Sequence, residues 1–201
     1  MKLEAAKIIA IDIWGKMKDL CEPKHCKIAG SIRREKADVK DIEIVALPKM
    51  IDTCDMFGEV TGKIRTKEWV ELVYSLGTAV KGNPNGRYTQ IKLREHDEFI
   101  LDLFMPVAED YWRQLVIRTG SAEWVKQYIA GGWSRQGWCG TKDDGLMMKS
   151  QCKGITQPNG HVLWFPNVSE GTKMRPPIWR SEKEVFDWLK IPFVEPKNRN
   201  I

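Results

Sequence analysis

Asp41 and Glu43 stand two residues apart in DIEIVALP, a run otherwise built of Ile42, Ile44, Val45, Ala46 and Leu47. Side chains at i and i+2 of a strand face the same way, so the pair projects from one face. Neighbouring carboxylates repel, and removing them from water uncompensated is costly. A divalent cation resolves both problems. Hard oxygen ligands of this kind suit Mg²⁺, commonly held by one or two carboxylates together with substrate phosphates. A third acid, Asp102, lies in FILDLFMP, with Ile100 and Phe104 on its own face and Leu101, Leu103 and Met105 on the other. If its strand lies beside the 40–47 strand, three carboxylates converge, enough to hold two metal ions for an in-line displacement at phosphorus. The competing account pairs these acids with Arg33, Arg34, Lys36 or Lys92.

Just upstream runs AGSIRRE, residues 29–35. Gly30 lets the backbone approach a ligand closely, and Ser31 offers a hydroxyl and an N–H. Arg34 offers a planar fork for phosphate oxygens. A Gly-Ser turn, a nine-residue interval and then acid–apolar–acid–apolar is a far more specific pattern than any of its parts.

Helices and strands must hold these groups in place. Ala6, Ile9, Ala10, Ile13, Met17 and Leu20 recur at helical spacing over 3–20, followed by an expected basic turn, EPKHCK. A strand is expected at about 40–47, ended by Pro48. TKEWVELVYSLG reads as a short helix capped by Thr66 and closed by Gly77. RYTQIKLRE and EFILDLFMP read as antiparallel strands joined near His96-Asp97. A helix is expected from Pro106 to the TGS turn, and another from the Ser121 cap to Gly131-Gly132. Residues 133–180, rich in Gly, Trp, Lys and Pro, predict a small sheet with long connections. A final helix over 181–191 opens on the capping box Ser181-x-x-Glu184. The composition shifts near 106–120, the best position for a lobe boundary.

The chain has 201 residues, room for one domain or two small lobes, and needs no disulfide or metal to fold. Its net charge of +5 permits an anionic partner without demanding one. No apolar run reaches membrane-spanning length, and the N-terminal stretch carries acids unlike a signal peptide. Nine tryptophans read mainly as core and lobe-packing residues rather than base-stacking platforms. Five cysteines without a C-x-x-C pair fit reduced thiols in a cytosol-like compartment, and CEPKHC lacks the further ligands that zinc needs.

AGS…DIEI resembles the signature of the polymerase-beta-like nucleotidyltransferases, and GSIRRE is closer still to the family X DNA polymerases. ILDLFMP resembles that family's third catalytic strand, IRTGS the turn opening its nucleotide-binding lobe, and SEKEVFDWLKIPFVEPKNR its C-terminal end. The likeness is scattered from about 25 to 201, in preserved order. It implies an α+β fold: a catalytic palm of mixed sheet and helices over 1–106, then a small α+β nucleotide-binding, thumb-like lobe over 107–201. It implies Asp41, Glu43 and Asp102 as catalytic ligands of two Mg²⁺ ions, which Mn²⁺ could replace, with Asp102 nearest the primer 3′-hydroxyl. Gly30, Ser31 and Arg34 would hold the triphosphate, and Gly120 and Ser121 would lie beside the sugar. The implied substrates are dNTPs and a primer-template or gapped DNA duplex, for a DNA polymerase of repair type acting as a monomer. A cytoplasmic or nucleoid-associated location follows, and minimal palm-plus-thumb members encoded by viruses set a precedent for the short chain.

Three departures bear on specificity. Glu43 stands where Asp is usual in the animal polymerases, Ile117-Arg118 where an aromatic pair is common, and Val125 where a polar base contact is common. With no lyase domain or helix-hairpin-helix clamp, DNA grip would fall to residues such as Lys142, Lys149, Lys153, Lys173 and Arg175. The same carboxylates would serve a template-independent transferase or one acting on RNA or another acceptor. A non-catalytic binding module has little use for three converging acids.

Overall fold

The computed structural model describes residues 1–96, 99–141 and 144–201; the His96-Asp97 joint and Lys142 therefore fall partly or wholly outside the described residues. The architecture is α+β, built on a five-stranded mixed sheet.

Helix α1 (Leu3–Met17) buries Ala6, Ala10, Ile13 and Met17, a stripe at helical spacing. The expected basic turn after it is instead strand β1 (Cys21–Ile28). A bulge between Cys21 and Cys26 absorbs Pro23 and Lys24, the latter at φ +69, so both ends of β1 still pair with β2 (Ile42–Pro48). Between them lies the short helix α2 (Gly30–Arg33). Strands β3 (Met50–Cys54) and β4 (Val60–Arg65) form a separate two-stranded ribbon that the sequence reading did not anticipate. Helix α3 (Lys67–Leu76) is capped by the Thr66 side chain as expected. Gly77 closes it and opens β5 (Gly77–Gly82); a Cβ there would sit 2.0 Å from the Lys92 carbonyl oxygen. Strands β6 (Tyr88–Leu93) and β7 (Ile100–Phe104) pair antiparallel, as their sequences predict. The order is β1-β2-β7-β6-β5, and the one parallel pair is β2 with β7.

Alternation along β2, β6 and β7 sorts the two faces. Ile42, Ile44, Ala46, Ile91, Leu93, Leu101 and Leu103 join α1 and α3 in a core containing Trp69 and Val73. The opposite face, at Val45, meets Tyr111 and Leu115 of α4 (Tyr111–Thr119). This helix starts later than expected from Pro106, because Val107 is extended and a single 3₁₀ turn, Ala108–Asp110, intervenes.

Helix α5 (Ala122–Trp124) runs through a π-helical turn, Val125–Ala130, into α6 (Gly131–Arg135). Gly131-Gly132 therefore does not close the helix. Gly131 is helical, and a Cβ on Gly132 would meet Leu189 Cδ2 at 3.1 Å, so that glycine serves close packing. Among the described residues, 133–180 form two ribbons rather than one continuous sheet: β8 (Trp138–Gly140) with β9 (Leu146–Met148), and β10 (Cys152–Thr156) with β11 (Val162–Pro166), linked by a single bridge between Thr141 and Trp164. The last helix, α7 (Glu182–Leu189), is capped by Ser181, whose Oγ accepts from the Glu184 N–H. The Glu184 carboxylate accepts from the Arg180 N–H, one residue before the position a capping box uses.

A second core gathers Val116, Trp124, Ile129, Leu146, Trp179, Val185, Phe186 and Leu189, with Trp112, Trp133, Trp138 and Trp188 at its margin. Among the described residues the first core draws nothing from beyond Met105, and the second nothing from before Trp112. Their connection includes a buried ionic latch. Arg33 donates both guanidinium ends to Glu182, at 3.0 and 2.6 Å, and Arg199 Nη1 donates to Glu182 Oε1 at 2.6 Å.

Candidate active site

Strand register builds the carboxylate cluster. The parallel pairing of β2 and β7 sets Glu43 directly opposite Asp102, with Val45 opposite Phe104 on the same face. Asp41 lies one residue before β2, at the mouth of the strand. The three acids are electrostatic neighbours. Burial raises the Asp41 carboxyl above its ordinary range, and the Asp102 charge adds to this. Glu43 is pushed up to about 7, first by burial and then by the charges of Asp41 and Asp102, against the opposing pull of Arg34 and Arg118. Among the described residues none of the three carboxylates forms an ion pair with Arg33, Arg34, Lys36 or Lys92.

Asp102 is anchored on its other side. Tyr88 Oη donates to Asp102 Oδ1 at 2.6 Å and Gln90 Nε2 to the same oxygen at 2.9 Å, both from β6. Burial, then the bond to Asp102, pushes the Tyr88 phenol above its ordinary range, so it stays a donor. Among the described residues no three His, Cys, Asp or Glu side chains stand close enough together in this conformation to hold a metal ion. The donor set nonetheless suits one: three hard carboxylates that form no ion pair among the described residues and whose repulsion Arg34 and Arg118 offset only in part, and a buried Ser31 Oγ without a hydrogen-bond partner there.

The Gly-Ser turn reaches the cluster through β1–β2 pairing, which continues as the Ala29 N–H donates to the Glu43 carbonyl at 2.8 Å. Gly30 has φ +61, and a Cβ built on it would fall 1.8 Å from Glu43 Oε2. Both the backbone conformation and the space require glycine here. Arg34 is already engaged: Nε donates to Asn200 Oδ1 at 3.0 Å and Nη1 to the Thr119 carbonyl at 2.6 Å. Arg33 Nη1 also donates to Thr119 Oγ1 at 2.9 Å. Two consecutive arginines thus tie the first Gly-Ser turn to the second. In that second turn Ser121 caps α5, accepting from the Trp124 N–H, while a Cβ on Gly120 would meet Trp124 Cε3 at 2.5 Å.

Glu43 and Asp102 open onto a cleft of about 610 Å³, whose lining includes Lys81, Arg87, Tyr88, Arg113 and Arg118. Gly30, Ser31, Arg34, Asp41, Gly120 and Ser121 do not line it in this conformation. Arg118 stacks its guanidinium 4.0 Å above the Phe104 ring, and its Nε is buried without a partner. Arg113 pairs with Asp110 at 2.5 Å. Sequence reading assigned no role to Tyr88 or Gln90, and noted Arg118 only as a departure, with Ile117, bearing on specificity. Alternation along RYTQIKL could have placed Tyr88 and Gln90 on the Asp102 face once the β6–β7 pairing was assumed. Of the cations expected to grip DNA, Lys173 and Arg175 are bound to Asp144 and Glu170, and Lys149 to Ser134, while Lys153 is exposed.

No protein-family model matches this chain, and no curated protein matches it. Among the described residues no helix is long and apolar enough to cross a membrane.

Proposed function

We propose that the chain is a Mg²⁺-dependent nucleotidyltransferase that extends a DNA 3′-hydroxyl with dNTPs, as a template-directed polymerase filling short gaps. On this reading 1–106 is the palm of a polymerase-beta-like fold and 107–201 a nucleotide-binding lobe. The observation that carries it is the register of Glu43 against Asp102, with Asp41 beside them and Gly30 packed on the Glu43 carboxylate.

Asp41, Glu43 and Asp102 would hold the divalent ions, which supply charge stabilisation to the attacking and leaving oxygens at phosphorus. Glu43, neutral in part near pH 7 without a cation, would become fully ionised when one binds beside it. Asp102, fixed by Tyr88 and Gln90, would orient the entering hydroxyl. The Gly30 and Ser31 N–H groups and the unpartnered Ser31 hydroxyl would face the phosphates. Arg118, on its Phe104 platform, would offset negative charge in the cleft.

The test is extension of a labelled primer, with Mg²⁺ and each dNTP singly, on gapped duplex and on single strand. Template-matched addition on the gap supports the polymerase. Addition regardless of template makes the protein a terminal transferase. No addition on either substrate removes DNA from the reading.

A further inference from the structure

The β3–β4 ribbon pairs with no other strand among the described residues, and it carries a dense group of exposed apolar side chains. At its tip Met56 is 89% and Phe57 85% exposed, and Met50, Ile51, Val60 and Ile64 are exposed along its length. Apolar patches of this kind mark interaction surfaces. The tip is preorganised, since Asp55 Oδ1 accepts from both the Phe57 N–H at 2.8 Å and the Glu59 N–H at 3.0 Å. Two carboxylates, Asp55 and Glu59, flank the two apolar residues, so the tip repels nucleic-acid phosphates.

At the base of the same ribbon lies a cavity of about 460 Å³ with an apolar lining of Met50, Ile51, Ile64 and Val70 and a basic rim of Lys63, Arg65 and Lys67. Tip and base are complementary in both polarity and charge. Lys63 meets Asp52 only at 3.7 Å and Lys67 meets Glu71 at 3.3 Å, both on the exposed surface, where such pairs contribute little and are readily exchanged.

We propose that the ribbon is a self-association device: two copies of this chain lie with their ribbons antiparallel across a two-fold axis, each tip seated in the other's basal cavity. A ribbon of this length spans roughly 17–20 Å at ~3.3 Å per residue, so one two-fold makes both contacts at once. Asp55 and Glu59 of each copy then face the basic rim of the other. The unpaired strand edges, which as free edges invite association, are covered in the same arrangement. The resemblance to minimal polymerases implied a monomer; the ribbon favours a dimer and does not depend on the catalytic reading.

Sedimentation equilibrium across a wide concentration range tests this. The wild type should move from the 23.2 kDa of one chain toward twice that mass. Phe57→Asp, at an exposed position where folding is not at risk, should weaken association by at least about tenfold. Glu59→Lys and Lys67→Glu should each weaken it, and a mixture of the two singly substituted chains should regain it, because opposite charges then face each other at both contacts. A wild type that stays at 23.2 kDa throughout overturns the proposal. So does a Phe57→Asp chain that associates like wild type, or a mixture no tighter than its components; a different protein would then be the occupant of the tip.

Discussion

Glu43 is under tension from burial and from the two neighbouring acids. Its carboxyl is pushed from an ordinary 4.5 to about 7, by burial and then by Asp41 and Asp102. Because the folded value lies above the unfolded one, the group costs nothing below about pH 4.5, where both states are protonated. As pH rises from there to about 7 the unfolded state loses its proton first, and stability falls. At pH 8 the cost is about 3 kcal/mol at ~1.4 kcal/mol per unit. Urea unfolding in the presence of chelator should therefore show Glu43→Gln more stable than wild type at pH 8 by an amount of that order, and equal to it at pH 4. Equal stability at both pH values would mean that Glu43 is not strained by its neighbours. The same substitution should abolish nucleotide transfer.

The element that sets Asp102 is β6 rather than its own strand. Tyr88 and Gln90 both donate to one carboxylate oxygen, on the side of β7 away from β2. If Asp102 holds a metal as proposed, these bonds would compete with its ligation, and each, made to a carboxylate, is worth about 1.5 kcal/mol or more net. Gln90→Ala should lower the Mg²⁺ concentration for half-maximal activity by roughly tenfold, since 1.4 kcal/mol is tenfold. An unchanged or raised Mg²⁺ requirement would show that β6 organises Asp102 for the metal instead of holding it back. At this scale much was legible. Period-2 alternation placed Asp102 against an apolar opposite face, and Thr66 and Ser181 announced their helices. Strand β1 was hidden because Pro23 and Lys24 look like a turn, and only a bulge lets them sit in a strand. Ribbon β3–β4 was hidden because its apolar residues are exposed, so no core demanded them. The engagement of Arg34 with Thr119 and Asn200 depends on residues more than 80 positions away, and local pattern carries no trace of it.

For the whole molecule, the Arg33–Glu182–Arg199 latch joins an element near the first Gly-Ser turn to the last helix and the C-terminal tail. Arg199 is fully buried, and a buried charge that loses its partner is costly. Burial tends to raise the Glu182 carboxyl, but the bonds from Arg33 and the charge of Arg199 prevail and hold it below its ordinary 4.5. Its stabilisation is therefore present above that pH and lost as pH falls through the lower folded value. Glu182→Gln should cost about 3–5 kcal/mol at pH 7, seen by thermal or urea unfolding, with the deficit shrinking in acid. A loss under about 1 kcal/mol would show that apolar contacts alone hold these elements together. Sequence reading placed a boundary near 106–120; among the described residues the first core ends at Met105 and the second begins at Trp112, while a third cluster of Ala29, Val45, Tyr111 and Leu115 spans the interval. It did not reveal the latch, whose members are 149 and 17 residues apart.

On the proposed reading, nucleotide transfer rests on Glu43 and Asp102, set opposite each other by the β2–β7 register, with Asp41 at the mouth of β2. The most direct measurement is incorporation of a single matched dNTP into a one-nucleotide gap, in Mg²⁺, by wild type and by Asp102→Asn verified as folded. Template-matched addition by wild type and none by the variant is the predicted result. Equal addition by both, or none by the wild type on any 3′-hydroxyl, would contradict it.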